Sequence, residues 1–284
     1  MVNFKSAFPI HCRLFLSIAL TLLFWSCQAQ SESKFEYYEN LDYSNLRSKL
    51  ISLQNRFPNV VRLDTAANRF GIEYIVKCGE ELDDDDPNQN KNDCVLDIVT
   101  VTDHLTGPQE KAQVFISGAM RGDARVGPSV AYYLIEYLAS NFNKNPRVTY
   151  LLQHREIVIT PMTNAPGFYA NEEAEETRIW VDELNERSRG VWRTTDVDFP
   201  YDNPECMNTV TGRVLYRLFV ENLFVTAISF DADLNGIAYP YADDDFEIFY
   251  NNTLRAAESP DLIAFDQVGR AMSAAAGDDI QIYQ

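Results

Sequence analysis

Val114-Phe115-Ile116-Ser117-Gly118-Ala119-Met120-Arg121-Gly122-Asp123-Ala124-Arg125-Val126-Gly127-Pro128 reads as a β-rich run, a turn holding two glycines, and a Gly-Pro entry into a helix. The run Gln113 to Ser117 has the apolar, β-branched character of a strand, and Gly127 to Asn141 places Val130, Leu134, Ile135 and Leu138 at helical spacing. A strand that passes through a short glycine turn into a helix is the unit from which parallel sheets are built, and it puts the turn at the carboxyl end of the strand.

Working outward, the same alternation recurs. Tyr43 to Phe57 spaces Leu46, Leu50, Leu53 and Phe57 as a helix stopped by Pro58, and Ile72 to Lys77 and Val95 to Val101 read as short strands. Beyond the central unit, Val148 to Gln153 reads as a helix and Glu156 to Thr160 as a strand. Leu215 to Phe224 follows as a helix, Val225 to Phe230 as a fully buried strand, and Leu262 to Ala275 as a helix. The expected fold is a single α/β domain over residues 36–284, with a mostly parallel mixed sheet and helices on both faces. Function is expected at four carboxyl-end segments: after Ser117, after Thr160, around Asp196, and after Phe230.

The 284 residues are 46% apolar, enough for a real core, and carry a formal net charge of -18. That charge argues against nucleic acid, whose phosphates are bound through clustered Lys and Arg. Lys5 and Arg13 precede an apolar run from Leu14 to Trp25, and Cys27-Gln28-Ala29 offers a cleavage site, so residues 1–29 read as a secretory signal. The run is too short for a membrane span, and the expected product is secreted and extracellular. Beyond the signal remain Cys78, Cys94 and Cys206. Cys78 and Cys94 flank the acidic stretch that includes Asp83 to Asp86, at the ends of two β-like runs, so their pairing is expected with Cys206 free; three unpaired cysteines are the alternative. Asn251-Asn252-Thr253 is a glycosylation sequon at Asn251.

These landmarks resemble the zinc carboxypeptidases, metallopeptidases of the carboxypeptidase A and B type. Phe57-Pro58-Asn59-Val60-Val61-Arg62-Leu63 is similar to the family's opening helix-to-strand turn, and the stretch quoted first resembles its metal motif, a strand followed by His-Gly-Asp-Glu and a helix. Thr160-Pro161-Met162-Thr163-Asn164-Ala165-Pro166-Gly167-Phe168 is similar to the segment with Asn-Pro-Asp-Gly. Asp196-Val197-Asp198-Phe199-Pro200-Tyr201 resembles Asn-Arg-Asp-Phe-Pro-Tyr, and Ile228-Ser229-Phe230-Asp231-Ala232-Asp233 resembles the strand ending in His-Gly-Gly. The resemblance runs from about Glu36 to the end of the chain.

The family chemistry that this resemblance implies uses zinc held by His, Glu and a second His, with a Glu as general base and arginines gripping the oxyanion and the terminal carboxylate of a peptide. Here the three zinc positions fall on Arg121, Ala124 and Asp231, and the anion-binding pair falls on Asp196 and Val197. A further family arginine falls on Ala174 or Val181, and the closing strand and helix that would carry the general base find no match before Gln284. The expectation is therefore no catalytic residues, no zinc, and a non-catalytic relative whose cleft could bind peptide or a protein partner. The alternative is a metallocarboxypeptidase whose metal site is rescued, or an altered or incomplete form of a working enzyme.

Neither His104, in a loop before a strand, nor His154, at a strand's entry, is expected near the carboxyl rim. Asp231-Ala232-Asp233-Leu234-Asn235-Gly236 matches the first half of a calcium loop, but Ala242 stands where the bidentate Glu belongs. Because Arg121 and Asp231 both fall on metal positions, their side chains are expected to face each other, with Asp123, Asp196 or Asp233 taking the remaining guanidinium donors.

Overall fold

A computed structural model describes residues 38–74, 76, 78, 94–106, 110–179, 189–193, 207, 209–231, 236–240, 247–250, 253–277 and 280–283. The signal segment, Asp83 to Asp86, Asp196, Val197, Cys206, Asp233, Ala242 and Asn251 lie outside the described residues.

The first helix, α1 (Tyr43–Arg56), starts where the Asp42 carboxylate accepts the Asn45 N–H, and it buries Leu46, Leu50 and Leu53, the apolar stripe visible in the sequence. It leads into β1 (Val61–Thr65), then a single helical turn, α2 (Ala66–Phe70), closed by Gly71 at φ 67°. The strands β2 (Asp97–Val101), β3 (Ala112–Gly118), β4 (Arg155–Thr160) and β7 (Phe224–Phe230) complete a five-stranded sheet in the order β1-β2-β4-β3-β7. Between them come α3 (Gly127–Asn141), α4 (Pro146–His154), α5 (Ala165–Ala170), the hairpin β5 (Glu175–Ile179) with β6 (Arg189–Arg193), and α6 (Val210–Glu221). Three short pieces follow β7: β8 (Gly236–Ala238), β9 (Glu247–Tyr250) and β10 (Thr253–Ala256). Helix α7 (Leu262–Ala276) and β11 (Gln281–Tyr283), which runs parallel to β8, end the described chain.

The sheet is mixed. β1, β2 and β4 pair antiparallel, with Val61 opposite Val101 and Val99 opposite Ile159. β4, β3 and β7 run parallel, with Ser117 beside both Thr160 and Ser229. The parallel half gathers three carboxyl ends at one rim, because each strand must be reached by a crossover from the opposite end. Phe115, Ile116 and Ser117 point alternately to the two faces and are all buried, so the centre of the sheet is covered on both sides. Phe115 packs edge-on against Phe219 of α6 at 5.4 Å between ring centres.

Two expectations fail for reasons of position. Among the described residues, Ile72 to Tyr74 form no strand: Tyr74 is turned inward, where its hydroxyl donates to the Thr163 carbonyl at 3.0 Å and lies 3.1 Å from Thr211 Oγ1. Burial raises the Tyr74 hydroxyl pKa well above the usual tyrosine value, so it stays a neutral donor. β7 is apolar in sequence but is the last strand in the sheet order, so its side chains alternate between half-buried and exposed, and Val225 is 67% exposed.

Cys78 and Cys94 are joined in a disulfide across the segment between them. Cys94 N–H also donates to the Val76 carbonyl, so both ends of that segment are held by backbone and by sulfur.

Candidate functional site

The rim is assembled from main chain packed against main chain. At the end of β3 the chain turns through Ala119, a non-glycine residue at φ 47°, whose N–H donates to the Phe230 carbonyl at the end of β7. The Gly118 and Ala119 carbonyls accept from Thr163 and Asn164, which follow β4, and Gly122 N–H donates to the Glu173 carbonyl. Glycine is required by these approaches: a Cβ on Gly122 would stand 2.2 Å from the Glu172 carbonyl oxygen, and one on Gly127 would stand 2.1 Å from that of Phe230. Asn164 fastens the neighbouring turn, accepting the Gly167 N–H through Oδ1 and donating from Nδ2 to the Glu173 carbonyl.

Onto this frame the sequence places Arg121, Ala124 and Asp231 together. Arg121 N–H donates to Asp231 Oδ1 at 3.4 Å, so the turn after β3 and the end of β7 do converge. The guanidinium takes one of the acceptors expected for its remaining donors, Asp123, together with Glu173, which lies outside that expectation, and not Asp231. Its Nε and Nη2 donate to the two oxygens of Asp123 at 3.2 and 2.9 Å, and Nη1 lies 3.1 Å from Glu173 Oε1. The side-chain pairing of Arg121 with Asp231 is thus corrected to a backbone contact, because Asp123, two residues on, offers a fork-shaped match with no need to span the rim. The bond from Arg121 also holds the Asp123 carboxyl below its usual pKa, which keeps the carboxylate charged.

Asp231 is engaged on its second oxygen as well. Ser229 Oγ donates to Asp231 Oδ2, and Ser117 Oγ donates to Ser229 Oγ at 3.0 Å. A chain of hydrogen bonds therefore runs from β3 through β7 to the Asp231 carboxylate and back to the turn after β3. From the sequence, Ser117 and Ser229 are strand serines with no nearby histidine and so not nucleophiles, while Glu173 carries no signal. The period-two spacing of Ser229 and Asp231, which puts both on one side of β7, was the available signal.

Beneath Arg121, Ala124 is fully buried, with its N–H on the Arg121 carbonyl. Ala174 adjoins the same rim, its carbonyl 2.6 Å from the Cβ position of Gly167. Further in, Glu175 is buried and its carboxylate accepts the N–H groups of Val210 and Thr211 at 2.7 and 2.9 Å, capping the positive end of α6. His104 and His154 are elsewhere, one after β2 and the other at the end of α4 just before β4. His154 lies with its ring stacked on Tyr150.

The donor set does not fit zinc. Arg121 brings a cation, Ala124 brings no ligand atom, and Asp231 is left as a single donor, whereas a zinc centre takes three or four converging His, Cys, Asp or Glu donors. Among the described residues no group of three or more such side chains is placed to hold a metal ion.

Solved carboxypeptidases share the fold. The thrombin-activatable fibrinolysis inhibitor superposes with a TM-score of 0.63 at 14% identity, over 88% of this chain and 60% of that one. Carboxypeptidase A from Helicoverpa armigera superposes at 0.61 with 13% identity, over 98% of this chain and 65% of that one. In sequence, rat carboxypeptidase D is 27% identical over 211 residues, which is 74% of this chain and 13% of that protein. Mouse carboxypeptidase M is 41% identical over 51 residues, 18% of this chain and 12% of that protein. The chain thus spans a small part of the curated relatives it matches. The family model for zinc carboxypeptidases matches residues 89–281, more than half of the chain, and the chain belongs to that family.

Proposed function

We propose that this domain is a secreted, non-catalytic member of the zinc carboxypeptidases, keeping the family's frame and using its rim to bind peptide or a protein partner. The observation that carries the reading is the Arg121 guanidinium, fixed between Asp123 and Glu173 at the first metal position. A cation held there repels a dication, and Asp231 alone supplies one ligand where zinc takes three or four. The disulfide fits an oxidising compartment, and we extend the proposal to removal of residues 1–29 as a signal. Asp196 and Val197 at the anion-binding positions argue in the same direction, because a carboxylate and an apolar side chain do not grip a peptide's terminal carboxylate.

The test is release of C-terminal residues from a panel of peptides, with and without a chelator, on the full secreted chain. No release, with well under one equivalent of zinc after dialysis, supports the proposal. Release that a chelator abolishes would sink it and establish a metallocarboxypeptidase with another ligand set.

A further inference from the structure

We draw no further inference here: the strongest candidate, the exposed apolar patch of Tyr216, Phe219 and Val220 on α6 with Leu223 and Val225 leading into β7, the last strand in the sheet order, carries nothing because nothing in the structure shows what covers it.

Discussion

The main-chain N–H of Arg121 donates to Asp231 Oδ1 at 3.4 Å, so the two residues expected at metal positions meet without their side chains pairing. The contact survives any change of the Arg121 side chain, because it belongs to the backbone. What Arg121 adds beyond it is the bond to Asp123 and the approach to Glu173, both at a half-exposed surface. Cross-linking of the rim is therefore shared between Asp231, which ties β7 to the turn after β3, and Arg121, which ties that turn to the segment before β5.

This division predicts additivity. Asp231→Ala should lower stability by about 1 kcal/mol, from the loss of two hydrogen bonds at an exposed site. Arg121→Ala should lower it by about 1 kcal/mol or less, as solvated ion pairs do. The double variant should show the sum within about 0.5 kcal/mol in urea denaturation. A coupling well above that would mean that the guanidinium and Asp231 act on each other directly.

The rim's glycines predict the reverse, a large effect from a small change. In Gly127→Ala the added methyl would stand 2.1 Å from the Phe230 carbonyl oxygen and 2.8 Å from Ala119 N, both main-chain atoms that cannot rotate away. A loss of about 2 kcal/mol or more is expected from this overpacking, and with it displacement of the β7 end from the turn after β3. Gly71→Ala, with nothing within 4 Å of its Cβ position, should suffer only the strain of φ 67°. If the two substitutions lower the melting temperature equally, main-chain packing at the rim is not what Gly127 serves.

The fold was legible wherever local pattern and burial agree. Gly127 to Asn141 is read with the same bounds that the helix has, since Gly-Pro opens it, and of its apolar spacing Ile135 and Leu138 are buried while Val130 is turned outward. β7 shows the limit: Phe224-Val225-Thr226-Ala227-Ile228-Ser229-Phe230 has the composition of a central strand, and nothing local says that it is last in the sheet order. At the rim, the convergence of Arg121 and Asp231 followed from the family resemblance, and so did Asp123 as a guanidinium partner, but Glu173 and Ser229 did not. Glu173 reaches Arg121 only because Gly122 N–H holds the segment before β5 against the turn, a tertiary contact with no sequence signature.

Away from the rim, Asp97 predicts an unusual response to pH. It pairs with Arg47 of α1, yet burial outweighs that attraction and raises its pKa from 3.8 to about 6. A carboxyl with a raised folded-state pKa holds its proton in the native protein after losing it in the unfolded chain. The native state thus binds more protons between about pH 4 and 6, and stability falls as pH rises through that window. The shift corresponds to about 3 kcal/mol at most. Asp97→Asn should flatten stability between pH 4 and 6 relative to wild type in denaturant titrations, and an unchanged slope would assign the dependence to other groups.

Restoring a metal centre tests the placement of the rim as a whole. Arg121→His, Ala124→Glu and Asp231→His together would supply three ligands of the types that hold catalytic zinc, on a frame whose turns are already fixed by Gly118, Gly122 and Gly127. Ala124 is fully buried, so the added Glu should overpack the turn and lower apo stability by about 1 to 3 kcal/mol. Zinc should then recover it, because a ligand bound only by the native state raises stability with its concentration. The expected result is a melting temperature that rises with added zinc in the triple variant and falls back with a chelator, while wild type shows no change. Arg121→His alone should show no such rise, since one imidazole beside an engaged Asp231 is not a site. A triple variant that folds, as judged by circular dichroism, yet melts at the same temperature with and without zinc would mean that these three positions do not converge as the family's ligands do.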